Sequence, residues 1–194
     1  MNNVTFTYNQ EAALAAGQGG FITESGAYVV TILEAKYMTS QGGAESIEFS
    51  VETEDGKKAN YINIYCQKKD KTPNKYGVNM INAIMGCIGI QQLTTKMIDA
   101  HTHLAPEFTG QRIGLVLQKT LKTKSDGKET YSLDIVIPFV AQTRQTLEEK
   151  IKNLPAQAID KQVATLQDKD ERKQSPRGYE QQTSSFPNDG TYFG

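Results

Sequence analysis

Tyr61 and Tyr65 stand four residues apart in an alternating stretch that then releases Lys68, Lys69, Lys71 and Lys75 within eight residues, followed at once by Tyr76. Lys57 and Lys58 precede the tyrosines, and a second group, Lys122, Lys124 and Lys128 with Tyr131, recurs farther along the chain. Aromatic faces accept stacked bases at about 1–3 kcal/mol each, and lysines neutralise phosphates and release counterions. The plain reading of each feature alone is a solvated lysine loop and tyrosines packed on their neighbours. Their combination is what points to a ligand.

Other chemistry finds little material. Asp99, His101 and His103 offer a possible ligand set, but there is no further histidine, and Cys66 and Cys87 lack the paired spacing of a metal site. Each cysteine lies in an apolar pattern and is expected to be a buried thiol rather than half of a disulfide. No glycine-rich phosphate loop with its lysine is present, nor a Ser-His-Asp order that stands out. The carboxylates between 45 and 55 read as the outer face of a hairpin. We expect no enzyme activity, no cofactor and no metal.

The formal net charge of -1 conceals strong segregation along the chain. Residues 21–56 hold seven acids against one base, residues 57–75 six lysines against one acid, and residues 112–130 five bases against two acids. With 194 residues and 38% hydrophobic content, one core domain with appendages is expected. Purely apolar runs reach only about five residues and the N-terminus lacks a basic leader, which predicts an intracellular chain without a membrane span.

The elements that must position the tyrosines are legible. Residues 1–20 read as an N-terminal arm with a helical turn in NQEAALAA, ended by GQGG. AYVVTILEAKYM is apolar on both faces and predicts a buried strand. ESIEFSVETEDGKKANYINIYC alternates with period two about Asp55-Gly56, a favoured two-residue hairpin turn. That turn makes residues summing to 111 face each other: Phe49 with Ile62, Ile47 with Ile64, Ser50 with Tyr61. Ile47, Phe49, Val51, Ile62 and Ile64 then share the core face, while Tyr61, Asn63 and Tyr65 share the other with Ser46, Glu48, Ser50 and Glu52. Val78, Ile81, Ile84, Met85 and Ile88 follow at helical spacing, then a less regular stretch, then a hairpin about Asp126-Gly127 closed by Pro138. Residues 143–173 predict a helical extension, with Leu147, Ile151 and Leu154 on one stripe and Ile159, Val163 and Leu166 on the other. That extension either packs on the body or makes a homo-oligomer. Residues 174–194 predict a disordered tail that carries Phe186, Tyr192 and Phe193.

Strand, strand, strand, helix, strand, strand is the chain order of the OB-fold, so residues 21–142 are expected to form a mainly β, five-stranded OB-like barrel. Oligonucleotides bind on its strand 2–3 face and neighbouring loops. The stretch from Ser25 to Ile90, followed by Gly110 to Ile135, resembles phage-encoded proteins of the single-stranded-DNA-binding type found in replication and recombination modules. The set that carries the resemblance is Gly26-x-Tyr28, Asp55-Gly56, Asn82-Ala83-Ile84-Met85 and Gly114-Leu115-Val116-Leu117-Gln118. It covers about residues 20–140. The resemblance implies a barrel that coats single-stranded DNA with little sequence preference in the cytoplasm of a bacterial host. Such proteins commonly end in an acidic tail with a terminal aromatic that recruits phage or host replication partners; here residues 174–194 carry a net charge of only -1. The alternatives are a phage interaction module that holds a peptide or host protein on the same barrel, and a metal-dependent nuclease.

Overall fold

The computed structural model describes residues 7–10 and 19–172. Most of the expected arm and the whole expected tail, with Phe186, Tyr192 and Phe193, lie outside the described residues. What is described is mainly β: one eight-stranded sheet with three short helices and a 3-10 turn.

The organising element is β1 (Gly26–Thr39), which serves two sets of neighbours. Its second half pairs antiparallel with β2 (Glu45–Thr53), from Val30↔Thr53 to Thr39↔Glu45. Its first half pairs with β6 (Arg112–Thr123), from Gly26↔Leu117 to Thr31↔Arg112. A bulge between Ile32 and Glu34 bends the strand where it changes partners. β2 continues to β3 (Lys58–Gln67), and β6 continues to β7 (Glu129–Phe139). Between them lie α1 (Lys75–Ile88), two two-residue strands, β4 (Lys96–Met97) and β5 (His103–Leu104), and a 3-10 turn at Pro106–Phe108. Ile32, Phe49, Ile62, Ile113 and Leu117 of the sheet share one buried core cluster with Ile84 of α1. Phe49 and Phe108 meet edge to face at 5.2 Å.

The expected chain order is therefore present, with the two small strands added. Closure is different. The hydrogen-bonded path ends at β3 on one side and β7 on the other, and no backbone ladder joins them among the described residues. The gap is spanned at one end by Gly20–Ile22: Ile22 N–H donates to Lys58 O at 2.9 Å and Lys58 N–H to Gly20 O at 2.8 Å. Tyr131 Oη donates to Ile22 O at 3.2 Å, and at the α1 end Tyr76 Oη donates to Ile135 O at 3.4 Å.

The first hairpin also corrects its expected register. Thr53 N–H donates to Lys57 O, so the loop is the three residues Glu54, Asp55 and Gly56, with Gly56 at φ 79. This moves the pairing by one residue, to Val51↔Ala59 and Glu52↔Lys58. A bulge at Asn60 and Tyr61 moves it back, restoring Phe49↔Ile62 and Ile47↔Ile64. The expected Ser50–Tyr61 pair does not form, because two residues of β3 stand opposite one of β2.

The helical extension is shorter than expected and packs on the body. α2 (Leu147–Ile151) and α3 (Ala158–Ala164) are followed by a strap, β8 (Lys169–Asp170), parallel to β6 at Thr120 and Leu121. Ile159 is buried with Val116 and Phe139 on the convex side of the sheet, and Val163 and Leu166 pack beside it. Of the expected stripe, Leu147 packs against the core while Ile151 and Leu154 are exposed.

Glu149 joins the two helices. It is 7% exposed, and its carboxylate accepts from Thr146 N–H at 2.9 Å, closing a capping box on α2. The other oxygen accepts from the N–H groups of Gln157 and Ala158 at 2.9 and 2.8 Å, at the start of α3. These backbone donors hold the carboxyl well below its ordinary 4.5, at about 2. Because the folded value is depressed, the stabilisation is complete above the unfolded value and is lost as pH falls toward 2. Glu149→Gln should lower the denaturant midpoint at pH 7, and the gap from the parent chain should narrow between pH 5 and 2 when urea titrations are repeated across that range.

Candidate nucleic-acid interface

The two principal tyrosines are on the surface. Tyr61 is 77% exposed and Tyr65 is 46% exposed, both directed away from the core residues Ile62 and Ile64. Tyr61 has φ 61, in the left-handed region, a genuine outlier for a bulky non-glycine residue. Strain of that kind persists only where the surrounding packing enforces it. Here the buried neighbours Ala59 and Ile62 do so from either side.

The outer face is assembled by register. One row across the strands reads Asn63, Glu48, Lys36, Leu104, Lys96, and the next reads Tyr65, Ser46, Met38. Lys36 and Lys96 are thereby brought onto the tyrosine face, a placement set by cross-strand register. The glutamates on that face are engaged. Glu48 accepts from Asn63 Nδ2 at 3.0 Å, Glu34 pairs with Lys36 at 2.8 Å, and Glu52 lies 3.6 Å from Lys58. The hydrogen bond that Lys36 donates to Glu34 holds its ammonium above the usual pKa, with Glu48 and Tyr61 adding to the effect.

The lysine stretch is an ordered reverse turn. Lys68 N–H donates to Thr72 O, Lys71 N–H returns to Lys68 O, and the Asp70 carboxylate accepts from Thr72 N–H and Oγ1. Those bonds from Thr72 hold the Asp70 carboxyl below its ordinary range. Lys71 turns back to Glu45 at 3.0 Å and Gly43 O at 3.1 Å. Lys57 pairs with Asp55 at 2.8 Å and Lys128 with Asp126 at 3.5 Å. Among the described residues no ion pair engages Lys68, Lys69, Lys75, Lys122 or Lys124.

Two hollows collect part of the predicted set. A groove of about 760 Å³ is walled by Tyr65, Gln67, Lys68 and Lys69 on one side and by the Ser40–Ala44 turn on the other. A Cβ on Gly42 would lie 2.8 Å from Lys69 Cε, so the lysine stem lies across that glycine. Gln67 Oε1 is buried there without a hydrogen-bond partner. The second hollow, a cleft of about 170 Å³, brings Lys58, Tyr61 and Tyr131 together with Phe21. Lys122, Lys124 and Lys128 line neither hollow; they stand at or near the far end of the β6–β7 hairpin. Tyr76 and Tyr131 spend their hydroxyls on backbone carbonyls, and Lys119 lies 5.5 Å over the Tyr131 ring.

The remaining candidates of the sequence fall elsewhere. Cys66 and Cys87 are free thiols whose pKa values burial raises, that of Cys87 to about 11. Asp99 accepts from the N–H groups of His101 and Thr102 at 2.8 Å and so serves its own turn. No group of three metal-ligating side chains converges among the described residues.

Fold and surface together define a mainly β protein in which, among the described residues, the bent sheet leaves one aromatic, lysine-bordered face open. The chain belongs to the family described as "Protein of unknown function (DUF669)", which matches residues 8–143, or 136 of 194 positions. No curated protein matches the sequence. The match takes in the whole β6–β7 hairpin and stops before α2.

The groove depends on one close approach. An ideal Cβ on Gly77, in the first turn of α1, would lie 1.9 Å from Tyr65 O, so only glycine lets the helix sit against β3 there. Gly77→Ala should cost about 1–3 kcal/mol in chemical denaturation, the usual range for overpacking.

Proposed function

We propose that this protein binds and coats single-stranded DNA with little sequence preference, without a bond-making step. The observation that carries the reading is the pair of exposed rings Tyr61 and Tyr65 on one strand, which ends in a groove bordered by Lys68 and Lys69. Stacking is tolerant of base identity because every base has a π-face, while lysines meet the backbone that all sequences share. An open sheet face suits unstacked bases, whereas duplex DNA keeps its bases paired and stacked inside. The resemblance of residues 20–140 to phage-encoded single-stranded-DNA-binding proteins supports a role in replication or recombination of phage DNA, in the host cytoplasm. No described helix is long and apolar enough to cross a membrane.

Fluorescence anisotropy of a labelled oligo(dT) and of a duplex, each across a salt series, tests the reading. Single strands should bind more tightly, with affinity falling steeply as salt rises. The double variant Lys68→Ala, Lys69→Ala should flatten the log–log salt slope by about 1.4, two contacts at roughly 0.7 each. Absence of single-strand binding at low salt would overturn the proposal.

Tyr61 separates function from stability. Glycine accepts the left-handed backbone that tyrosine resists. Tyr61→Gly should therefore melt no lower than the parent chain, yet lose roughly 5- to 150-fold in affinity for oligo(dT), the equivalent of one stacking contact.

A further inference from the structure

We propose that the cleft bounded by Phe21, Tyr61 and Tyr131 seats one unstacked nucleobase, with Phe21 as a stacking surface of the same path. This inference rests on the single-stranded-DNA reading and extends it to a residue that sequence patterning did not select. Phe21 is 63% exposed, yet its backbone is fixed: it bridges Lys58 of β3, and the flanking residues Gly20 and Ile22 exchange hydrogen bonds with that lysine's backbone. Ile22 is buried in the core and supplies the anchor, so burial does not account for the ring at position 21. A ring whose backbone is already fixed loses little further freedom when a ligand stacks on it.

The cleft has the size and polarity for a single heteroaromatic ring. Its volume of about 170 Å³ is below the roughly 300–1,000 Å³ of pockets that take drug-sized ligands, which suits a single ring. Three aromatic side chains line it, and Asn60, Lys58 and Ser132 supply polar groups at its margin. Tyr61, held outward by the bulge, is shared between this cleft and the open face that leads to Tyr65. The strand path therefore runs the length of β3, about 30 Å at 3.3 Å per residue, from the Lys68 groove to Phe21.

The test uses the full chain with Phe21→Ala and Phe21→Trp. Oligo(dT) affinity is measured by anisotropy, melting temperature in parallel, and 5-iododeoxyuridine oligonucleotides are photocrosslinked with peptide mapping. Phe21→Ala should weaken binding roughly 5- to 150-fold with an unchanged salt slope and melting temperature, and Phe21→Trp should restore it. Crosslinks should fall on the peptides that contain Phe21, Tyr61 or Tyr131. If the parent chain binds oligo(dT) and Phe21→Ala binds equally well, the cleft assignment fails while the general reading stands. A loss of affinity with a lowered melting temperature and no crosslink to the Phe21 peptide also overturns it. A parent chain that binds no single strand removes both proposals.

Discussion

Burial of Ala59 together with Ile62 is the constraint on which the exposed surface depends. In a regular strand, residues three apart point to opposite faces, so both can face the core only if one extra residue is inserted between them. That residue is accommodated at Asn60 and Tyr61, and both side chains emerge on the outer side. Tyr61 pays with a left-handed backbone, about 1–2 kcal/mol for a residue with a Cβ. The core on either side outweighs that penalty and holds the ring out. One steric requirement thus produces the most exposed aromatic of β3 and places it between the open face and the Phe21 cleft.

The same sheet has two unlike outer regions. Where β1, β6 and β7 turn their convex side outward, α3 covers it through Ile159, and the strap at 167–172 fastens the edge. Gln118 Nε2 donates to Gln167 O at 2.7 Å and Ser25 Oγ to Asp168 Oδ1 at 2.6 Å. Arg172 completes the strap by joining Asp170 and Glu129. Among the described residues, the outward side of β2 and β3 receives no such cover. Among the described residues, the tyrosine face is left clear because residues 147–172 pack on the other side of the sheet.

Electrostatics on the open face follow a comparable division. Glutamates that would repel a phosphate chain are met by Asn63, Lys36 and Lys58 at contact distance, while among the described residues no ion pair engages Lys68 or Lys69. Exposed ion pairs are worth little, typically about 0.2–1 kcal/mol, so an arriving phosphate competes for Lys36 and Lys58 at small cost. The acidic segment before the hairpin and the basic one after it are thus one mixed surface in space, with its unpaired positive charge at the turn.

Local pattern determined a good deal. Period-two alternation defined β2 and β3, helical spacing defined α1, and Asp-Gly pairs marked both hairpins, because each is a property of neighbouring residues. The bonds that Glu149 accepts from Gln157 and Ala158 were not legible, since they need α3 folded back beside α2. Core phase also explains why Phe49–Ile62 and Ile47–Ile64 pair as expected although the turn is one residue longer: the bulge offsets the longer loop. Tertiary structure alone decided the rest. Lys36 and Lys96 join Asn63 in a row across five adjacent strands, and Phe21 and Tyr131 line one cleft at the gap between β3 and β7. Whether that gap closes by a ladder or by an inserted segment depends on how far a bent sheet curls, and no local periodicity encodes that. The sequence by itself determined which side chains could stack and neutralise; the curvature of one strand decided which of them share a surface.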